Sequence, residues 1–500
     1  MVHSKINSLG IPIIFPVISF TCRPIRLFSL SIFLILLLGM LLFSRFWKSS
    51  IFPSYTDSNV FWQWKEMDFP SPNPLWLQSI RVQYPKNLTH LLYKSLEVSH
   101  PLSHLEPISA ISNLRQYVSL LNSIQYVRNA DIYGQLPTRD NFNVVTSAPE
   151  HVIVIQIHNR SLELTLLIES LRRVKGIEKS LIIFSHDIYS DELNNLIASI
   201  RFARTVQIFY PHSIQIFSNS FPGTDPRDCE SRLSPTKAKS IGCLNAGWPD
   251  TFEHYREAGF AQIKNHWLWK IQFMLDHFYP TKYYNGYFIL LEEDYFVLED
   301  ILEVTSLISS KIWNPSNVDG IIALGSYDKH QKYTSTKVEV TYWLAPKHNM
   351  GMAISRSMWR KIQSCLDLFC KYDDYNWDWT LQYVGQNCLP TKLKVLTLPD
   401  STRVFHLGEC RGIHHQKNVC SSELLATNIL QTFNGPLLAK LYPKSLDLSV
   451  NLPYVMRRQK VNGGWSDERD RSLCRSLLSR RWNEILTQWA PKLTLYSPIY

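Results

Sequence analysis

The apolar positions of the chain follow two regimes that change near residue 145. Over 151–157, HVIVIQI is a short continuous apolar run. LELTLLIESLRRV then repeats at helical spacing, LIIFSH forms a second run, a helix begins near Ser190-Asp191-Glu192, and VQIFYP is a third run. Runs of this kind read as strands buried on both faces. Their alternation with helices predicts an α/β fold with a mostly parallel central sheet covered on both sides. A long helical pattern over 251–278 follows, and then the strand GYFILLEEDY, which stops abruptly in Glu292, Glu293 and Asp294. Ligands of open α/β sheets bind beyond the carboxyl ends of strands, so these three carboxylates stand where a site belongs.

Upstream, LFSLSIFLILLLGMLLFS at 27–44 is free of charge over about 18 residues, near the minimum for a helix spanning a bilayer. Lys5, Arg23 and Arg26 precede it and Arg45 and Lys48 follow, a slight bias that faces the N-terminus toward the cytosol. A cleaved signal peptide is the alternative, but the run ends in SRFWKSS rather than at a small-residue cleavage site. Residues 51–143 are rich in Ser and Pro without sustained periodicity and read as a stem, with Asn87-Leu88-Thr89 as a glycosylation acceptor. The expected organisation is a cytoplasmic tail (1–26), a transmembrane signal anchor (27–44), a lumenal stem (45–145) and a catalytic domain (146–500).

Five hundred residues at 45% hydrophobic and 19% charged bury a substantial core. The net charge of +10 and pI near 9.0 suit an anionic ligand, yet the basic residues are scattered, unlike a nucleic-acid-binding arm. Neither GxxxxGK[ST] nor GxGxxG occurs, which weakens P-loop and dinucleotide readings. Of nine cysteines only Cys22 lies early; the remaining even set, from Cys229 to Cys474, fits an oxidising compartment.

Several blocks carry candidate chemistry. The carboxylates closing at Asp294 suit Mn²⁺ or Mg²⁺ bridging two phosphates, against the plain alternative of a solvated acidic turn. QIHNR (Gln156, Ile157, His158, Asn159, Arg160) enters a helix from a strand end, where amides and a cation meet base, ribose or phosphate. Asn159-Arg160-Ser161 also matches a glycosylation sequon, in a position expected to be too enclosed for modification. Asp187 ends the next strand and, alone, reads as turn chemistry. QIKNHWLWK combines Lys264 and His266 with Trp267 and Trp269, able to meet a diphosphate and a sugar or simply to form an amphipathic helix. In CKYDDYNWDW, carboxylates lie among aromatics that stack on sugars, and one could serve as general base. The other reading is a helix start capped by Asp373 or Asp374 with the tryptophans as core. His406 follows the strand KLKVLTL and could complete a metal site. Cys410, His414, His415 and Cys420 fit either zinc or, in an oxidising lumen, a disulfide.

IQIHNR, IFSHD, FPGTDPRDC, HYREA, LEED, HNMG, YDDYNWDWTLQY, FHLGEC and NGGW occur in an order and spacing that resemble the N-acetylglucosaminyltransferase II family over residues 149–478. The resemblance implies a GT-A-type, Rossmann-like catalytic domain. It further implies UDP-N-acetylglucosamine as donor, Mn²⁺ as cofactor, and transfer to O2 of the α1,6-linked mannose of a hybrid N-glycan, giving a β-linked product. By the same resemblance, donor contacts fall on Gln156, Ile157, His158, Asn159, Arg160, Asp187, Gln262, Ile263, Lys264, Asn265 and His266. Metal ligands fall on Asp294 and His406, and the inverting base on Asp378. The implied disulfides are Cys229–Cys243, Cys365–Cys388, Cys370–Cys474 and Cys410–Cys420. A Golgi membrane location with a lumenal enzyme follows, with the glycan on a glycoprotein as acceptor partner, a homodimer as a further partner expectation and nucleic acid as none.

The chain departs from the family pattern in places. Tyr295 follows Asp294 where the family has His, the lysine block reads QIKNH rather than QTKHH, and a further cysteine pair is missing near 313–317. The length over 328–336 also differs, leaving one donor-contacting arginine unassigned. Donor choice is expected to survive these changes, with acceptor preference more exposed to them. A sister transferase acting on another mannose, a non-catalytic glycan-binding protein and a glycosidase are the competing classes. The joint presence of Asp294, His406 and Asp378 speaks against the second, and a nucleotide pocket against the third.

Overall fold

The computed structural model describes residues 111–129, 149–250, 252–312, 320–328, 331–333, 336–372, 375–408, 421–453 and 467–478. The expected tail, anchor and Asn87 lie outside these residues, as do Asp373, Asp374, His414, His415 and the Cys410–Cys420 pairing. Among the described residues no helix is long and apolar enough to cross a membrane.

The apolar runs form the strands expected of them. β1 (His151–Ile157), β2 (Ser180–His186), β3 (Arg204–Phe209) and β4 (Tyr287–Glu292) pair in parallel in the order β4-β1-β2-β3. Both faces are covered, and alternate residues feed two cores. Val152, Val154, Leu181 and Ile183 pack with Trp267 and Trp359. Ile153, Ile155, Ile182 and Phe184 pack with Leu164, Leu167 and Ile168. Burial on both sides explains why these strands read as unbroken apolar runs rather than alternating ones.

β5 (Tyr295–Val297) leaves the sheet immediately after β4. β6 (Ile321–Ala323), β7 (Lys337–Tyr342), β8 (Met352–Ser355), β9 (Lys394–Thr397) and, after β10 (Val404–His406), β11 (Asp447–Val450) complete it. The nine strands run β11-β7-β9-β6-β8-β4-β1-β2-β3. β8 is antiparallel to β4 and β6, and β7 to β9, so the sheet is mixed; β1 to β4 form its continuous parallel run, and β6–β9 and β7–β11 are further parallel pairs. An apolar run such as MAIS has the same pattern whichever way it points, which is why strand direction on this side was not legible.

Helix α1 (Ile111–Ile124) packs Leu114 and Val118 against Phe209 and Ile216 beside the edge strand β3. Asn122 bonds the Phe209 backbone in both directions, at 2.7 and 2.8 Å, and so occupies hydrogen-bonding groups that an edge would otherwise expose. α2 (Ser161–Arg172) and α3 (Asp191–Ala198) cover one face. α4 (Ala258–Gln272) covers the other and is shorter than its pattern. Asp250 Oδ1 accepts the Phe252 and His254 amides, each at 2.8 Å, and this side-chain turn holds the backbone out of a helix up to Ala258. At the other end Phe273–His277 widens into a π turn. α5 (Trp377–Asn387), α6 (Ser422–Thr432) and α7 (Glu468–Ser476) follow.

Cys229–Cys243, Cys365–Cys388 and Cys370–Cys474 are bonded as the resemblance implied. The last closes 104 residues and fastens α7 to the helix ahead of α5. Chain-entropy reasoning puts the gain from so long a closure at up to about 4–5 kcal/mol. Replacing Cys370 and Cys474 together by serine is therefore expected to lower the urea midpoint of the catalytic domain clearly. A midpoint equal to that of the parent chain would show that α7 docks without needing its tether.

Candidate active site

The parallel half of the sheet sets the site. In register, Gln156 of β1 lies between Ser185 of β2 and Glu292 of β4, so the residues just beyond these three positions converge at one edge. They are His158 and Arg160 from β1, Asp187 from β2, and Glu293 and Asp294 from β4.

Glu293 organises the turn after β1. It is buried, and its Oε2 accepts the backbone amides of His158 (2.9 Å) and Arg160 (3.4 Å), fixing IHNR against β4. Burial, only partly offset by His158 and Arg160, raises its pKa to about 7. The sequence offers this residue with Glu292 and Asp294 as a carboxylate for a cation; in the fold its Oε2 is taken up by the two amides. Asn159 at the tip is exposed, contrary to the enclosure expected of it.

His158 Nδ1 meets Asp187 Oδ2 at 2.5 Å, and His266 Nδ1 approaches the same oxygen at 3.7 Å. His266, on α4, is fully buried, stacks on Tyr210 and bonds Ser185 Oγ at 2.7 Å through Nε2. Burial lowers its pKa to about 4, so it is neutral at physiological pH. Burial works against ionising Asp187, but the facing His158 outweighs it and holds the carboxyl below its usual range. The ligand atoms of His158, Asp187 and His266 all lie within 4.8 Å of one another, a group that could hold a metal ion.

Other members of the QIKNH block turn elsewhere. Gln262 Oε1 accepts the Ile214 amide at 2.5 Å, and Lys264 Nζ donates to the Tyr372 carbonyl at 3.0 Å. Asn265 donates to Asp470 of α7 at 3.3 Å, a carboxylate that also pairs with Arg256. Ile263 contributes its carbonyl, 3.5 Å from Gln156 Nε2. Of this block, the side chain of His266 joins the cluster directly.

Asp294 is brought to His406 by a two-stranded ribbon. β5 pairs antiparallel with β10, setting Tyr295 opposite His406, and Asp294 accepts the Leu407 amide at 2.8 Å. Asp294 Oδ2 then lies 3.2 Å from His406 Nε2 and pairs with the Arg160 guanidinium. Asp294 Oδ1 is buried with no hydrogen-bond partner among the described residues. Gly408 closes this corner. A Cβ on it would lie 2.1 Å from Asp294 Oδ2 and 2.9 Å from His406 Nε2, so the missing side chain leaves space beside both donors. An orphaned carboxylate oxygen, an imidazole and room over a glycine fit a divalent cation completed by substrate oxygens. Burial opposes ionising Asp294, yet His406 and Arg160 outweigh it and keep its pKa below the usual value.

Asp378 sits in the first turn of α5. Its Oδ1 accepts the Trp379 amide and its Oδ2 the Asn349 side chain, both at 2.8 Å. Trp377 stacks on Trp267 of α4 with 4.5 Å between ring centroids, and Trp267 on Phe369 at 5.9 Å, so this half of the aromatic block is core that anchors the helix start. The cap position is Asn376. Asp378 belongs to the same neighbourhood as Asp294 and His406. Burial, and then the charges of Glu292, Asp294 and Asp378, push the Tyr295 and Tyr327 phenols well above their ordinary range. Tyr327 and Asn349 were not singled out beforehand; for Asn349 the signal was the HNMG block, quoted without a role.

A model of the N-acetylglucosaminyltransferase II family matches residues 115–474. The α-1,6-mannosyl-glycoprotein 2-β-N-acetylglucosaminyltransferase of Sus scrofa is 40% identical over 386 residues, covering 75% of this chain and 82% of that one. The enzyme of the same name from Homo sapiens is 40% identical over 369 residues, with 72% and 78% covered. The one from Arabidopsis thaliana is 28% identical over 333 residues, with 65% and 73% covered. With the family model spanning all nine strands of the sheet, α4 and the corner of Asp294, Asp378 and His406, the chain belongs to the N-acetylglucosaminyltransferase II family.

Proposed function

We infer that this chain is an inverting transferase moving N-acetylglucosamine from UDP-N-acetylglucosamine to O2 of the α1,6-linked mannose of a hybrid N-glycan. The β1,2 product commits the glycan to the complex type. The observation that carries this reading is the corner where Asp294 and His406 meet beside Arg160, with Asp378 acting on the same two phenols. The catalytic domain is read as GT-A-type and Rossmann-like, spanning 146–500 behind a stem at 45–145. The anchor at 27–44 would place it in the Golgi lumen as a type II membrane protein with its tail at 1–26. That location rests on the sequence pattern and on the even set of late cysteines.

Asp294 and His406 would hold Mn²⁺, a cation that accepts carboxylate and imidazole together. When bound, the cation neutralises charge gathering on the departing diphosphate. Arg160, beside Asp294, would offer its guanidinium to the same diphosphate. Asp378 accepts the proton of the attacking mannose hydroxyl. The Trp379 amide and the Asn349 side chain hold its two oxygens and fix the direction from which the hydroxyl is taken. Asp187, His158 and His266, at the ends of β1 and β2 and on α4, form the polar wall against which the nucleotide lies.

Incubating the chain with a panel of UDP-sugars and a defined hybrid glycan is expected to yield one product, a single added N-acetylhexosamine in β1,2 linkage on the α1,6 mannose. Addition to another mannose would reassign the chain to a sister activity, and no transfer from any UDP-sugar would leave a glycan-binding protein. Asp378→Asn is expected to keep UDP affinity while turnover falls about 10²–10⁴-fold, the usual cost of losing a general base. Near-normal turnover in that variant would remove Asp378 from the mechanism.

A further inference from the structure

Lys270 is 1% exposed, at the far end of the QIKNHWLWK block, and the reaction described above gives it no task. It lies four residues after His266 on α4 and therefore shares its face. Burial lowers its pKa to about 7, against the pull of Glu292 and Asp187, so keeping an amine here is costly and calls for a reason. Its Nζ donates to Gln156 Oε1 at 2.5 Å. The Gln156 side chain is itself fully buried, with Nε2 3.5 Å from the Ile263 carbonyl and 3.3 Å from His158 Nε2.

These contacts decide which way the amide points. The Ile263 carbonyl only accepts, and the Lys270 amine, charged or neutral, has an N–H to donate, so both anchors are met with the oxygen toward Lys270 and the NH₂ toward His158. An NH₂ group has no lone pair to offer His158. The imidazole must then accept at Nε2 and carry its proton on Nδ1, where it donates to Asp187 Oδ2. Electrostatics pull the other way. Burial opposes charging His158, but Asp187 and then Glu293 and Glu292 raise its pKa to about 9. In the imidazolium, however, Nε2–H would face the Gln156 NH₂ at 3.3 Å, two donors with nothing between them. The neutral Nδ1–H form satisfies all of these hydrogen bonds.

The same constraint bears on the two places where a cation could bind. Holding a metal between His158, Asp187 and His266 requires a lone pair on His158 Nδ1, which would move the proton to Nε2 and against the Gln156 amide. We propose that Lys270 is a positioning residue of the nucleotide wall. It pins the Gln156 amide and through it keeps His158 as the Nδ1–H tautomer, so the His158–Asp187–His266 group recognises ligand by hydrogen bonds and rejects divalent cations. The proposal rests on the donor-site reading above for what that wall recognises, and on local geometry alone for the tautomer.

The test uses the full chain labelled with ¹⁵N-histidine, with the His158 signals identified by their loss in His158→Asn. The expected parent spectrum shows Nδ1 protonated and Nε2 bare, and Lys270→Met should give a mixture of tautomers. Gln156→Glu supplies an acceptor to Nε2–H and frees Nδ1. It should therefore gain a second Co²⁺ per chain, seen in the visible absorption, bound at least about tenfold tighter than any second ion on the parent, the usual scale of such supporting contacts. An imidazolium or Nε2–H His158 in the parent, an unchanged His158 spectrum in Lys270→Met, or no added Co²⁺ in Gln156→Glu would each overturn the proposal. UDP binding is measured in parallel. A parent chain with the expected tautomer but no affinity for UDP would sink the donor reading and leave the tautomer lock standing.

Discussion

The short ribbon formed by β5 and β10 is the constraint on which the site depends. It joins two segments 112 residues apart so that Asp294, leaving the sheet at the end of β4, meets His406. Buried charge of this kind persists only when paired. Here Arg160 from the end of β1 supplies the pairing cation, and Gly408 leaves the space in which a divalent ion could take over that role. The carboxylate is thus held ionised and aimed by elements from three separate stretches of chain.

Around that corner the rest of the edge is built to stay fixed. Glu293 ties the β1 turn to β4 through backbone amides, while Asp187 is gripped by His158. α4 serves both sides. Its buried face presents His266 to Asp187 and Lys270 to Gln156, and its Trp267 carries the stack that seats Trp377 and hence Asp378. The middle of α4 is tied in turn to α7, where Asp470 meets Asn265 and the Cys370–Cys474 bond fastens the helix. Asp294, His406 and Asp378 therefore share one rigid frame, the kind of fixed support on which catalytic geometry is built.

Much of this was legible in the residues. HVIVIQI, LIIFSH and GYFILLE gave β1, β2 and β4 because strands buried on both faces have no polar side to interrupt the run. The ends of those runs mark the candidate site because a parallel sheet gathers its carboxyl ends. What stayed hidden was mostly non-local. No pattern shows that β8 enters antiparallel or that β10 finds β5. The late start of α4 is hidden in the sequence because Asp250 captures amides two and four residues on, a turn that competes with the helical period. NWDW fits either core or catalysis, and the fold sets Trp377 in the stack while Asp378 faces Asn349. Asn349 and Lys270 sat inside quoted blocks, but their partners, Asp378 and Gln156, come from other elements.

The location of the bound cation tests the account most directly. Electron spin-echo modulation of Mn²⁺ bound to the ¹⁵N-histidine-labelled chain, with UDP present, counts directly coordinated imidazole nitrogens. One nitrogen, lost in His406→Ala, is the predicted result. Two nitrogens, as from His158 and His266 together, or none at all, would contradict it.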